Sequence, residues 1–151
     1  MKLEQFLVKA KTNTYASEGE GSEEILADGS KELTFQENGF KYRDRYFGFN
    51  PFIGEEVVWY EDRVIWAMNY YGTVFDKVVP ADQAYRFLGK AMRQVKEDRP
   101  FRGPHSLKEQ DFEYVDEGKG TVESFVGVER ILYKGQEIYR LDYHGGSIKT
   151  K

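Results

Sequence analysis

The stretch that decides the fold is residues 57–72, which read Val57-Val58-Trp59-Tyr60-Glu61-Asp62-Arg63-Val64-Ile65-Trp66-Ala67-Met68-Asn69-Tyr70-Tyr71-Gly72. Apolar and polar residues alternate on both sides of the acidic pair Glu61-Asp62, which is typical of a β-hairpin. Half of the aromatic residues of the chain lie within the window 40–75. A chain of 151 residues needs only some of these rings for its core, so the surplus indicates a surface that binds a flat or apolar partner.

The turn of this hairpin decides which side chains share a face. A two-residue turn at Glu61-Asp62 groups one apolar set on the same face: Val57, Trp59, Val64, Trp66, Met68 and Tyr70. A three-residue turn would shift the register by one and separate Trp59 from Trp66. We favour the two-residue turn because it gathers the apolar side chains, and the sequence leaves the register of a later hairpin at Lys134-Gly135 open.

An earlier hairpin turns at Asn38-Gly39, because both residues tolerate the positive φ of a type I′ turn. Phe35 then pairs with Tyr42, and Gln36 pairs with Lys41. One face of this hairpin is apolar and consists of Leu33, Phe35, Phe40, Tyr42 and Tyr46. The other face is polar and consists of Thr34, Gln36, Lys41, Arg43 and Arg45. This separation predicts a half-buried antiparallel pair, with the basic stripe protecting an exposed strand rather than binding nucleic acid.

Helical spacing predicts two helices. The first covers residues 2–12 and has an apolar stripe of Leu3, Phe6, Leu7 and Ala10. The second begins at Pro80-Ala81-Asp82, and its apolar stripe is Ala84, Leu88, Ala91, Met92 and Val95. The Gly-, Ser- and acid-rich segment 17–30 predicts a surface loop. Three further strands are predicted at 112–115, 121–133 and 136–144, with turns at 117–120 and 134–135.

The predicted order is therefore α-β-β-β-β-α-β-β-β in a single domain over residues 1–151. Tight turns between strands imply an antiparallel meander, so the class is α+β. We expect a curved sheet of about seven strands with two helices packed on one face. The sequence shows no repeat at a solenoid period.

Composition limits the functional classes. The formal net charge of −4 argues against nucleic acid or a membrane surface as partner. The chain has no cysteine and only two histidines, so neither a thiolate zinc site nor a multi-histidine metal centre is expected. We expect no cofactor. No secretory signal or membrane span is recognisable, which predicts a cytoplasmic protein.

Catalytic motifs are weak. Gly118-Lys119-Gly120-Thr121 lacks the first glycine of a phosphate loop, so a turn between strands is the favoured interpretation. Arg140, Asp142 and His144 alternate on one strand and share a face, where an Arg140–Asp142 ion pair is favoured over an Asp–His acid–base pair. Glu55 and Glu56 are adjacent and must point to opposite faces.

The predicted binding site lies around the aromatic hairpin. Asn69 is an amide among rings, and a buried amide must satisfy its hydrogen bonds or bind a ligand. Trp66 and Tyr70 would provide stacking surface, and a carboxylate would provide a charge. The predicted ligand-binding residues are Tyr42, Asp44, Glu55, Glu56, Trp59, Trp66, Asn69, Tyr70 and Tyr71. No catalytic residue is assigned.

The stretch from Tyr42 to Gly72 contains the segments Tyr46-Phe47-Gly48, Phe52-Ile53-Gly54-Glu55-Glu56-Val57 and Trp66-Ala67-Met68-Asn69-Tyr70-Tyr71-Gly72. Above all in these segments, this stretch resembles an uncharacterised bacterial and archaeal family, a domain of unknown function. The similarity extends through the helix after Pro80 and the final strands, and so over most of the chain. In that family the domain occurs alone or after a helix-turn-helix segment in regulators. The resemblance implies a sensing or partner-binding role and supplies no catalytic residues. A helix-turn-helix segment is not recognisable at the start of this chain, so no transcriptional role is expected.

The favoured function is a cytoplasmic, sensor-like module that binds a small molecule or a protein partner without catalysis. One alternative is a small hydrolase or isomerase that uses a carboxylate with His144 or a tyrosine. The other alternative is a homodimerising domain whose exposed rings meet a second copy.

Overall fold

The structure, a computed structural model, describes residues 1–14, 23–75 and 77–151. Within these residues, one antiparallel sheet of nine strands carries two helices on one face. The elements in chain order are α1 (Leu3–Asn13), β1 (Glu24–Ile25), β2 (Lys31–Glu37), β3 (Phe40–Gly48), β4 (Phe52–Tyr60), β5 (Arg63–Val74), α2 (Ala81–Met92), β6 (Ser106–Glu109), β7 (Phe112–Thr121), β8 (Ser124–Tyr133) and β9 (Gln136–Ser147). The strand order in the sheet is β1-β2-β3-β4-β5-β9-β8-β7-β6.

The α+β class and the antiparallel sheet are confirmed, and the sheet has nine strands rather than seven. The two additional strands are the edge strands β1 and β6. β1 has two residues and lies in the predicted loop 17–30, of which residues 17–22 are outside the described part of the chain. β6 reads Ser106-Leu107-Lys108-Glu109, which contains one apolar residue and no alternation to detect. Neither described helix is long and apolar enough to cross a bilayer.

The predicted turn at 117–120 is wrong. Gly118 and Gly120 lie inside β7, and the chain turns at Val122-Glu123 instead. The glycines serve close packing within the sheet, because a Cβ on Gly118 would meet the Tyr143 hydroxyl at 2.6 Å.

The hairpin at Asn38-Gly39 has the predicted register, with Phe35 opposite Tyr42. The turn at Glu61-Asp62 also has the predicted two residues, with φ of 46° and 63°. An irregularity then shifts the register, so that Trp59 pairs with Val64 whereas Val58 pairs with Trp66.

This bulge overturns the predicted grouping of the aromatic hairpin. Ile65 is the extra residue, and beyond a single extra residue every side chain changes face. Trp66 therefore packs on the helix-covered face. Trp59 lies on the open face with Lys41 and Arg43, whose charged groups are 5.8 and 5.1 Å from its ring centroid.

The fold consists of two similar halves, each with a helix followed by a meander of four equivalent strands, β2–β5 in the first half and β6–β9 in the second, and the first half adds the short edge strand β1. Phe40, Tyr42 and Asp44 recur as Phe112, Tyr114 and Asp116, 72 residues later. The run Ile65-Trp66-Ala67-Met68-Asn69-Tyr70-Tyr71-Gly72 recurs 73 residues later as Ile138-Tyr139-Arg140-Leu141-Asp142-Tyr143-His144-Gly145. The bulge recurs too, because Ile131 pairs with Tyr139 and Leu132 with Glu137, which leaves Ile138 as the extra residue.

Side-chain contacts repeat between the halves as well. The ring of Phe6 in α1 stacks on Phe40 at 4.9 Å, and the ring of Phe87 in α2 stacks on Phe112 at 5.0 Å. Two surface ion pairs correspond in the same way, Lys9–Glu37 at 2.9 Å and Lys90–Glu109 at 2.7 Å. Contacts that repeat with the sequence show an internal pseudo-twofold arrangement of the fold.

The pseudo-twofold axis passes between β5 and β9. Tyr70 pairs with Tyr143, and these two residues are equivalent in the two halves. The central row of the covered face places Gly54 beside Tyr70 and Gly127 beside Tyr143. A Cβ on either glycine would overlap the hydroxyl group of its tyrosine.

We predict that Gly54→Ala and Gly127→Ala each lower the free energy of unfolding by about 1–3 kcal/mol, because the added methyl group must displace a packed tyrosine. Gly89→Ala is the matched control. Gly89 lies in α2 with only the end of Arg93 near its Cβ position, so alanine there should stabilise the protein by about 1 kcal/mol. Urea denaturation measures all three, and equal stability of the three variants would contradict the packing argument.

Candidate functional site

The predicted ligand-binding residues divide between the two faces of the sheet. Those on the helix-covered face are Tyr42, Asp44, Glu56, Trp66 and Tyr70, and all are buried. Those on the open face are Glu55, Trp59, Asn69 and Tyr71. The division follows from strand alternation and the bulge, and it means that no single site contains the whole predicted set.

A polar cluster is buried under α1 in the first half. Glu56 accepts hydrogen bonds from Lys11 Nζ at 2.6 Å and from the Tyr42 hydroxyl at 2.5 Å. The Tyr70 hydroxyl donates to Asp44 Oδ1 at 2.5 Å. Asp44 and Glu56 lie directly opposite each other on β3 and β4.

The equivalent cluster of the second half has the corresponding carboxylates and tyrosines, and adds Tyr139, which corresponds to Trp66 of the first half. Glu129 accepts hydrogen bonds from the hydroxyls of Tyr114 at 2.5 Å and Tyr139 at 2.8 Å. Asp116 accepts one from Tyr143 at 2.8 Å. The positive charge comes from Arg102, whose Nε and Nη2 donate to the two oxygens of Glu129 at 3.1 and 2.9 Å.

The cations of the two clusters come from different places in the chain. Met92 of α2 occupies the position equivalent to Lys11, and Arg102 comes from the segment after α2. Lys11 Nζ also donates to the carbonyl oxygen of Phe101 at 2.7 Å, so the clusters are neighbours. The sequence did contain a signal that Lys11 faces the core, because Lys11 follows the apolar Leu7 by one helical turn.

Burial and like charge alter the titration of these groups. Burial, followed by the negative charge of Glu56, raises the pKa of Asp44 to about 7. Burial and Glu129 raise the pKa of Asp116 to about 7 in the same way. Burial lowers the pKa of Lys11, and the adjacent Glu56 opposes this effect.

These clusters give the carboxylates no access to a substrate. Asp44 and Glu56 are each 2% exposed and lie beneath α1. Tyrosine, lysine and arginine side chains donate hydrogen bonds to these carboxylates, which makes such groups tolerable in a core. Asp116 Oδ2 accepts no hydrogen bond from the described residues and has Arg99 Nη2 at 3.8 Å.

A groove of about 700 Å³ crosses the open face at the pseudo-twofold axis. Its lining residues come from five central strands: Arg43, Arg45, Phe47, Ile53, Gly54, Glu55, Asn69, Tyr70, Tyr71, Val126, Gly127, Val128, Asp142, Tyr143 and His144. Four lining side chains are large, apolar and 45–55% exposed, namely Phe47, Ile53, Tyr71 and Val126. Exposed apolar side chains that meet in one concave surface are typical of a binding site.

Polar side chains cross the groove in a row. Glu55 is opposite Asn69, which is opposite His144 on β9. None of these three side chains has a hydrogen bond or ion pair to the described residues. Their polar groups are therefore free to bind a ligand.

Of the nine predicted residues, four line the groove, namely Glu55, Asn69, Tyr70 and Tyr71, although the side chain of Tyr70 lies on the covered face. Trp59 is outside it but packs on Arg43, which lines it. Sequence reasoning did not assign Val126, Val128, Asp142 or His144 to the site, because their proximity depends on the pairing of β5 with β9. The predicted Arg140–Asp142 ion pair is confirmed, at 3.0 Å.

The acidic and basic groups of the central row of the groove lie on different strands. Glu55 and His144 are separated by the strand that carries Asn69, and two strand spacings amount to about 10 Å. In residues 1–14, 23–75 and 77–151, no three His, Asp or Glu side chains are arranged to bind a metal ion.

We predict that the stability of the protein decreases between about pH 4 and pH 7. In the folded state Asp44 and Asp116 keep a proton up to about pH 7, whereas in the unfolded chain they lose it near pH 4. The folded state therefore binds more protons in this window, and the free energy of unfolding falls as the pH rises through it. The double variant Asp44→Asn/Asp116→Asn should show a smaller decrease in urea denaturation at pH 4.5, 6 and 7.5.

The control for the pH series is Asp62→Asn, which changes an exposed carboxylate in a turn where asparagine tolerates the positive φ. This control should keep the pH dependence of the original chain. Parallel pH profiles for the double variant and the original chain would contradict the assignment.

We predict that Lys11→Met destabilises the fold by about 3–5 kcal/mol, because Glu56 would remain buried without its cation. Methionine fits the space, since Met92 occupies the equivalent position. Lys11→Met/Glu56→Gln should recover part of the loss, and the exposed control Lys9→Met should cost at most about 1 kcal/mol. Thermal and urea unfolding measure the cycle, and additive effects of the two buried substitutions would exclude the coupling.

Comparison with known proteins gives one family. A search of curated proteins and a search of solved structures returned no match. Residues 44–148 match the family model of the domain of unknown function DUF5680. The match confirms the resemblance to a domain-of-unknown-function family, while the bacterial and archaeal origin and the regulator context stay predictions. The matched residues make up more than half of the chain, and they include β4, β5 and all elements from α2 to β9. The chain therefore belongs to the DUF5680 family.

Proposed function

We propose that this protein is a non-catalytic binding module whose ligand is a small molecule held in the groove of the open face. The observation that carries the proposal is the groove itself. Its volume of about 700 Å³ is in the usual range for small-molecule sites. Exposed apolar side chains and unpartnered polar groups meet in it, which is the composition expected of such a site.

The groove is not explained by the needs of the core. The core lies on the other face, where the helices cover the sheet. Tyr71 is 51% exposed although it occupies a central strand, and Ile53 beside it is equally exposed. Exposure of apolar surface to water at the centre of a sheet is unfavourable. A flat molecule bound there would cover that surface and lower the free energy.

The structure bears differently on the two alternative functions, an enzyme and a homodimerising domain. A hydrolase or isomerase needs reacting groups within hydrogen-bond reach of one substrate. Glu55 and His144 lie on strands separated by β5 and form no hydrogen bond with each other. Homodimerisation through Phe47, Tyr71 and Val126 would cover the same groove. We treat it as the competing hypothesis. A cytoplasmic location, a sensor-like role and the absence of nucleic-acid and membrane partners belong to the proposal as well.

We predict that a metabolite library contains compounds that raise the melting temperature of this protein, and that Tyr71→Ala removes the increase. Phe75→Ala is the matched control, because Phe75 follows the same strand and is equally exposed at 53% but does not line the groove. The control variant should respond to ligand as the original chain does.

Trp59 provides a second measurement. It packs against Arg43 of the groove, whereas Trp66 is buried in the core. Ligand binding should therefore change the tryptophan fluorescence of the original chain. The change should be absent in Trp59→Phe, which keeps only the buried Trp66. A library that yields no stabilising compound, together with a dimer in sedimentation that Tyr71→Ala dissociates, would replace the ligand proposal by homodimerisation.

A further inference from the structure

Two charged residues of the groove are specific to one half of the molecule. Arg43 on β3 corresponds to Val115 on β7, and Glu55 on β4 corresponds to Val128 on β8. Both valines lie on the open face at partly buried positions. The same backbone thus accepts valine at both positions, so the fold itself does not require charge there.

The other charged groups of the groove have partners. Arg45 donates to Glu32 with Nε at 3.1 Å and with Nη2 at 2.9 Å. Asp142 accepts two hydrogen bonds from Arg140, at 3.0 and 3.1 Å. These two pairs neutralise one positive and one negative charge at the border of the groove.

Arg43 and Glu55 have no ionic partner among the described residues. The guanidinium of Arg43 packs over Trp59, and its Nε has no hydrogen-bond acceptor. The carboxylate of Glu55 has neither a donor nor a cation. The groove therefore presents one uncompensated positive and one uncompensated negative charge.

The spacing of these charges suits one small molecule. Arg45 is directly opposite Glu55, and Arg43 is two residues further along the same strand. Residues in this diagonal relation are about 7–8 Å apart, with their Cβ atoms somewhat closer, so the ends of long side chains are within reach of one another. The two charged ends can therefore bind adjacent groups of a ligand, and the ring of Tyr71 and the side chain of Ile53 lie beyond Glu55.

Resting on the binding function proposed above, we infer that the ligand is a free aromatic α-amino acid. Its carboxylate binds Arg43, its ammonium group binds Glu55, and its ring packs on Tyr71 and Ile53. An α-amino acid carries both charges on one carbon, which matches the opposite charges of two neighbouring strands. A peptide would lack both of these charges at an internal residue and one of them at a terminal residue. Arg43 donates in the plane of its guanidinium while the face of the group remains stacked on Trp59.

Isothermal titration calorimetry of the full chain with three matched compounds tests the inference. The compounds are L-phenylalanine, 2-phenylethylamine, which lacks the carboxylate, and 3-phenylpropionate, which lacks the ammonium group. We expect phenylalanine to bind at least about 10-fold more tightly than either, the usual effect of one hydrogen bond to a charged group.

Arg43→Val and Glu55→Val introduce the residues found at the equivalent positions of the second half, so the fold should tolerate them. Arg43→Gln and Glu55→Gln are the conservative versions. Arg43→Val should abolish the preference for phenylalanine over phenylethylamine. Glu55→Val should abolish the preference over phenylpropionate. Each single variant should keep the other preference.

Three outcomes overturn the inference. Equal binding of the three compounds, with loss of all binding in Tyr71→Ala, would show that the groove binds aromatic rings without distinguishing the charges of the ligand. The proposed function would then stand. Tighter binding of one singly charged compound would assign a ligand with that charge only. Binding of none of the three would exclude an aromatic amino acid, and the metabolite library would then decide the proposed function separately.

Discussion

The pairing of β5 with β9 is the contact on which the rest of this structure depends, because each half of the chain brings a meander whose last strand would otherwise be an open edge. The two strands pair from Trp66–Ser147 to Val74–Tyr139 and make one continuous sheet. An unpaired central edge would expose a row of backbone donors and acceptors to other chains. Joining the edges satisfies these groups and places the pseudo-twofold axis at Tyr70 and Tyr143. The groove on one face and the two carboxylate clusters on the other face are arranged around this axis.

The covered face contains an unusual core. Four carboxylates, Asp44, Glu56, Asp116 and Glu129, are at most 2% exposed. Such groups are costly to bury, and hydrogen bonds from five tyrosines offset part of that cost. Two carboxylates and two tyrosines recur in both halves, whereas Tyr139 is specific to the second half. The cation is supplied by a helix in the first half and by a loop in the second. In the first half the network includes Lys11 of α1 and thereby fixes that helix over its meander.

The open face shows how the two halves have diverged. The backbone is shared, but the groove residues differ at almost every equivalent position: Tyr71 corresponds to His144, Asn69 to Asp142, Ile53 to Val126 and Glu55 to Val128. Covered positions are constrained by packing, so Tyr70 and Tyr143 remain identical. Exposed positions carry no such constraint, and their divergence makes the groove chemically asymmetric. An asymmetric surface at the axis can bind one orientation of a ligand, which a symmetric surface could not distinguish from its reverse.

The sequence alone determined what depends on neighbouring residues. The two helices, the Asn38-Gly39 and Glu61-Asp62 turns and the α+β class were all readable from spacing and turn chemistry, because these features are set by residues close in the chain. The pairing of Asn69 with His144 was not readable, since 75 positions separate them and nothing local records it. The bulge at Ile65 was equally invisible, and one extra residue moved Trp59 to the opposite face from Trp66. The repeated Phe-x-Tyr-x-Asp pattern of β3 and β7 was present in the sequence, but only the register showed that its tyrosines and carboxylates hold the core together. The sequence therefore determined the elements of this protein, and the tertiary structure decided which faces they share, because side-chain direction in a sheet depends on register and long-range pairing.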